Sequence, residues 1–108
     1  MNGLWTAEFG SSAGAFGGGV VVFDDGEILG GDATYYYVGN YTLAGRDFEA
    51  TLKSSPFVEG ARSVFNTVGQ ELILQLKGSL VDDGKALAHG SADGAPGLTF
   101  AIRLTKRS

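Results

Sequence analysis

Two pairs of adjacent aspartates are the first residues that invite chemistry: Asp24-Asp25 before Gly26, and Asp82-Asp83 before Gly84. Neighbouring carboxylates can act as general acid and base or as calcium ligands. A calcium loop of the EF-hand kind needs oxygen donors at alternate positions and a closing bidentate glutamate, and neither pair has that spacing. Asp-Gly tolerates positive φ and marks tight hairpins. Both pairs read as solvated hairpin tips that reuse one turn chemistry, not as an internal repeat. His89 is the single histidine; no motif fixes a nucleophile beside it, so it reads as a structural strand residue. The run Gly14-Ala15-Phe16-Gly17-Gly18-Gly19 has the composition of a phosphate cradle. Such loops lead into a helix N-terminus, whereas this one leads into Val20-Val21-Val22 and reads as a strand with a bulge. Gly30-Gly31-Asp32 is more specific, because an acid after a Gly-Gly turn can accept backbone N–H bonds as an Asx-type cap.

Composition narrows the classes further. The 108 residues, 44% hydrophobic and 19% charged, suit one globular domain over 1–108. Zero cysteines exclude a disulfide or thiolate site, and one histidine leaves no ligand set for zinc. A net charge of −4 argues against a nucleic-acid partner. No catalytic, cofactor-binding or metal-binding residue emerges, and a non-enzymatic protein without cofactor is expected. Met1 to Phe9 lacks the basic and apolar regions of a signal peptide. No stretch approaches the roughly eighteen apolar residues of a membrane helix, so a cytoplasmic protein with no membrane partner is expected.

The elements that must position these residues follow a period of two. Strands are expected at Gly3–Phe9, Phe16–Phe23, Glu27–Gly30, Tyr35–Leu43, Asp47–Ser54, Glu71–Leu80, Lys85–Ala92 and Leu98–Leu104. Ser55 to Gly69 breaks the pattern and is compatible with a helical turn or an irregular strand. Asp93 to Gly97, with Pro96, reads as a loop, and Thr105 to Ser108 as a frayed basic end. Eight short strands and no helix give an all-β fold. Glycine is 18 of 108 residues and falls inside strands as well as turns, which favours a strongly coiled, eight-stranded antiparallel up-and-down barrel over a flat sandwich. The expected core is Trp5, Phe9, Val21, Tyr37, Phe48, Leu52, Leu74, Leu76, Phe100 and Ile102, with Tyr35, Tyr41 and Leu43 sharing the face of Tyr37. Tyr36 and Val38 lie on the opposite face of the same strand and predict a second covered surface, a homodimer contact.

The ordered set Gly3-Leu4-Trp5, Asp25-Gly26, Gly30-Gly31-Asp32, Tyr35-Tyr36-Tyr37, Gly39 and Tyr41 resembles the signature of the GrlR-like family, negative regulators of type III secretion. The resemblance covers residues 3 to 54. It implies a lipocalin-like barrel that dimerises and restrains a transcriptional activator by direct contact, without catalysis. Gly30, Gly31, Asp32, Tyr37 and Gly39 are then structural motif residues. In the characterised regulator an acidic Glu-Asp-Glu-Asp run follows the aromatic strand. Here that place reads Ala44-Gly45-Arg46-Asp47, with Glu49 beyond. Arg46, Asp47 and Glu49 are the candidate partner contacts beside Tyr36 and Val38, and the changed charge predicts a different partner or surface. Gly3-Leu4-Trp5 alone also resembles the first strand of lipocalins proper.

Two functions follow: a regulator acting by protein contact, or a carrier holding a small apolar ligand in the barrel. Phe9, Phe48, Leu52, Leu74, Phe100 and Ile102 are bulky enough to fill a short barrel, which favours the regulator.

Overall fold

The computed structural model describes residues 1–12, 14–63, 68–94 and 97–108. Eight antiparallel strands close into a barrel in sequence order: β1 (Gly3–Ser11), β2 (Phe16–Asp24), β3 (Glu27–Gly31), β4 (Tyr35–Ala44), β5 (Asp47–Pro56), β6 (Leu72–Asp82), β7 (Lys85–Ala92) and β8 (Thr99–Lys106). Closure comes from β1 pairing with β8, Trp5 opposite Lys106 and Ser11 opposite Phe100. Every strand then has two partners, and no edge is left to template association. No described helix is long and apolar enough to cross a membrane.

Alternation places one side of each strand inside. Trp5 and Ala7 on β1, Val21 and Phe23 on β2, Tyr35 and Tyr37 on β4, and Phe48, Ala50 and Leu52 on β5 are buried. Of the expected core, Phe9, Leu74 and Ile102 are only partly buried, packed against it. Leu43 is exposed: it stands beside the β4–β5 turn, beyond the end of the packed interior. On β7 the inward residues include Ala86, Ala88 and Ala92, while Leu87 and His89 face outward.

The glycine run does not bulge. Gly17, Gly18 and Gly19 pair in unbroken register with Phe9, Glu8 and Ala7, which keeps Val21 inside. The register shift lies instead on β6, between Leu80 and Asp82. Close backbone approach is what the strand glycines permit. A Cβ at Gly39 would stand 2.2 Å from the Thr51 carbonyl oxygen, and one at Gly90 2.0 Å from that of Gln75. Side chains at these positions would push β4 from β5 and β7 from β6, and the tight coiling of a small barrel would be lost.

The turns alternate between two ends. At one end lie the β2–β3, β4–β5 and β6–β7 hairpins and both termini. Asp25 and Gly26 have φ of 47° and 90°, the two left-handed residues of a type I′ hairpin. The second Asp-Gly turn is different. Neither Asp83 nor Gly84 has positive φ, and the Asp82 carboxylate accepts the Gly84 N–H at 2.8 Å. The adjacent register shift supplies the geometry that left-handed residues supply in the first hairpin.

The C-terminal residues are not frayed. Arg107 and Ser108 donate to the Leu4 carbonyl at 2.7 and 3.2 Å, and Leu4 donates back to Ser108 at 2.9 Å. Residues 57–63 and 68–71 connect β5 to β6 across the other end, with an isolated bridge between Arg62 and Val68. Part of the undecided stretch, 64–67, and Pro96 of the expected loop lie outside the described residues.

Candidate functional site

The barrel is not filled. Its interior holds a cavity of about 300 Å³, open at the end opposite the Asp-Gly hairpins. The bulky residues expected to fill it line it instead: Phe9, Phe48, Leu52, Leu74, Phe100 and Ile102 are all part of its wall. The reason lies in the residues between them. Ala7, Ala50 and Ala88 also point inward, and Gly17 and Gly18 form part of the wall. These small residues return the volume that the large ones take.

The far end is sealed by aromatics. Phe23 forms the floor, stacked edge-on against Trp5 at 6.0 Å and 79° and against Tyr41 at 5.1 Å and 87°. The Trp5 indole N–H donates to the Met1 carbonyl at 3.0 Å, and the Tyr41 hydroxyl donates to Asn2 Oδ1 at 3.1 Å. Asn2 in turn exchanges two 3.0 Å hydrogen bonds with Asp25. The N-terminal residues thus close the floor from outside, each polar group of the aromatic stack finding a partner.

Polar groups gather at the open end. The β3–β4 hairpin supplies Asp32 and Thr34, β4 supplies Tyr35 and Tyr37, β5 supplies Ser54, and the β5–β6 connection supplies Arg62 and Ser63. Asp32 organises them. Its Oδ1 accepts the backbone N–H groups of Thr34 and Tyr35, each at 2.9 Å, and its Oδ2 accepts the Tyr37 hydroxyl in a very short hydrogen bond. The capping role read from Gly30-Gly31-Asp32 is therefore present, and the Tyr37 bond adds to it a tie from the cap to the inner wall. Burial, with the hydrogen bond to Asp32 and its negative charge, pushes the Tyr37 hydroxyl well above its ordinary value. Burial and then the Asp32 charge raise Tyr35 as well. Both phenols stay protonated across the physiological range.

The Tyr35 hydroxyl donates to the Ala61 carbonyl at 3.1 Å, and Phe57 N–H donates to the Thr34 carbonyl at 2.9 Å. These bonds hold the start of the β5–β6 connection against the rim. Around this end stand exposed apolar side chains: Phe16, Phe57, Val58 and Val68, with Phe16 85% exposed.

The candidate partner residues divide between two regions. Tyr36 and Val38 are half exposed on the outer face of β4. Arg46 and Asp47 are at the opposite end, in and beside the β4–β5 turn, where the Arg46 guanidinium donates to the Val81 carbonyl at 3.1 Å and Asp47 accepts the Ser79 hydroxyl at 2.7 Å. Glu49 pairs with Lys77 at 3.6 Å across β5 and β6. These three residues are tied to β6, and the structure does not bring them together with Tyr36 and Val38. His89 is exposed on the outer wall, in register with Lys77 and Ala101.

Period-two alternation located the walls and the Gly-Gly-Asp turn signal located the Asp32 cap, but neither located the cavity and its polar rim. The signal available was the count of inward alanines: Ala7 on β1, Ala50 on β5, and Ala86, Ala88 and Ala92 on β7. No family model matches the chain, and no curated protein matches it closely enough to stand as a relative.

Proposed function

We propose that this protein is a non-enzymatic binding barrel whose interior holds the apolar part of a small ligand. The observation that carries the reading is the cavity of about 300 Å³, apolar along its length, sealed by Phe23 and Trp5 and open at the Asp32 end. That volume lies at the lower bound of small-molecule sites. The test is displacement of a small neutral fluorophore, N-phenylnaphthylamine, by decanol. Saturable displacement at one ligand per chain supports the reading; probe fluorescence that never rises above that of a folded control protein contradicts it.

A second reading rests on the outer wall. Leu4, Val22, Leu29 and Val38 stand side by side in register across β1 to β4, with Val20 and Tyr36 adjacent. All six are exposed, from 37% to 48%. A contiguous apolar patch of this kind marks a contact surface. We propose that it covers itself in a homodimer and that the protein acts by protein contact, as a negative regulator of type III secretion genes that restrains a transcriptional activator. The resemblance of residues 3 to 54 to the GrlR-like family supports the same reading. Sedimentation tests it: a dimer at tens of micromolar that becomes monomeric on Leu29→Lys is expected, and a monomeric native chain would overturn the dimer.

A further inference from the structure

The cavity is chemically graded along its axis, and the gradient specifies the ligand more closely than volume alone. Among the described residues, the floor and walls offer no polar side chain below the rim. At the rim, the groups fixed by the fold present acceptors. Tyr37 spends its hydroxyl proton on Asp32, and Tyr35 spends its own on the Ala61 carbonyl. Each phenol oxygen keeps lone pairs. A carboxylate offers about four lone-pair positions, and among the described residues Asp32 has three of them engaged, by Thr34 N–H, Tyr35 N–H and the Tyr37 hydroxyl. Oδ2 retains the capacity to accept one more proton donor.

Access to this point is open. A Cβ at Gly19 would meet the Tyr37 hydroxyl at 3.3 Å and the Asp32 Cβ at 3.4 Å; glycine there leaves the pair uncovered from the β2 side. Among the described residues Arg62 is the one cation in the wall, and it lies exposed on the β5–β6 connection. Asp32 is half-buried on a hairpin locked by its own hydrogen bonds. The negative, proton-accepting group is thus the better positioned of the two.

Resting on the binding-barrel reading, we propose that the ligand is a single-chain amphiphile that enters tail first and whose head is a hydrogen-bond donor, best a primary ammonium, held by the Asp32 carboxylate. The tail fills the lumen down to Phe23. At roughly 30 Å³ per heavy atom the volume admits a tail of about ten atoms. The exposed Phe16, Phe57, Val58 and Val68 form an apolar approach for that tail. An ammonium on Oδ2 makes a charge-assisted bond, stronger than the one a neutral hydroxyl makes. A carboxylate head in the same place meets Asp32 as a like charge.

The test compares decylamine, decanol and decanoate at neutral pH as displacers of N-phenylnaphthylamine, with one tail and three heads. The expected result is displacement by decylamine at a concentration about tenfold or more below that of decanoate, with decanol between. Asp32→Asn keeps an acceptor for the Thr34 and Tyr35 N–H groups and should erase the advantage of the amine. Tyr37→Phe keeps the Asp32 charge and should preserve the advantage, which guards the test should Asp32→Asn fail to fold. Equal displacement by all three heads, preference for decanoate, or loss of the amine preference in Tyr37→Phe would overturn the head-group inference while leaving the binding barrel standing. Displacement by none of the three would instead remove the binding barrel itself.

Discussion

Replacing Ala7 with leucine separates an unfilled barrel from a packed one. Ala7 is buried on β1, and its side chain faces the cavity. Leucine adds three carbons, about 90 Å³ at roughly 30 Å³ per heavy atom, close to a third of the ≈ 300 Å³ available. Burying three such groups at about 0.8 kcal/mol each contributes up to ~2.4 kcal/mol. Fixing the leucine rotamer takes back about 0.5–1 kcal/mol. In a filled core the same change costs about 1–3 kcal/mol through displaced neighbours. The expected outcome is therefore a stability equal to or up to about 2 kcal/mol above that of the native chain, read as the urea midpoint at constant slope. The same variant should bind decanol about tenfold or more weakly, a loss of about 1.4 kcal/mol per decade. A destabilisation of about 2 kcal/mol or more would show that the site has no space to give. Unchanged decanol binding would show that the ligand sits elsewhere.

Other consequences follow from the same geometry. Gly39→Ala should destabilise by about 2 kcal/mol or more, because its Cβ falls 2.2 Å from the backbone oxygen of Thr51; chemical denaturation reads this, and a near-neutral result would refute the close-approach argument. Asp32→Ala removes the acceptor for two backbone N–H groups and a phenol, and should cost about 2–4 kcal/mol by the same measurement. Stability should also fall at high pH. Tyr35 and Tyr37 have folded values raised above an unfolded value near 10. The contribution of each is fully present below about pH 10 and is lost as pH rises toward its folded value. Urea midpoints should therefore stay level up to about pH 10 and decline above it, and Tyr37→Phe should shrink the decline.

Much of the barrel could be read directly from the chain. Alternation in β1, β4 and β5 is clean because one face of each strand meets the interior and the other meets water, so register and burial agree residue by residue. The Asp32 cap was legible for a similar reason: its partners Thr34 and Tyr35 are two and three residues away, and local hydrogen bonding is written into local sequence. What failed was non-local. Whether large inward residues meet and fill the barrel depends on which residues stand opposite them, and Ala50 opposite Leu76 or Gly90 opposite Phe100 is a fact of pairing that no single strand contains. The second Asp-Gly turn misled because its backbone is set by the register shift on β6. The ends of the chain misled because Ser108 finds its partner at Leu4, across the closure of the barrel.

The most direct test of the binding barrel is calorimetric titration with a homologous series of primary alcohols. A blind-ended apolar lumen should reward each added methylene with about 0.8 kcal/mol, close to fourfold in affinity. The gain should stop once the tail reaches Phe23, at about ten carbons for the available volume. A rising affinity that breaks near that length, and breaks about three carbons earlier in Ala7→Leu, is the result expected. An affinity that rises without a break, or that breaks at the same length in both proteins, would place the ligand on an open surface and contradict a binding site inside the barrel.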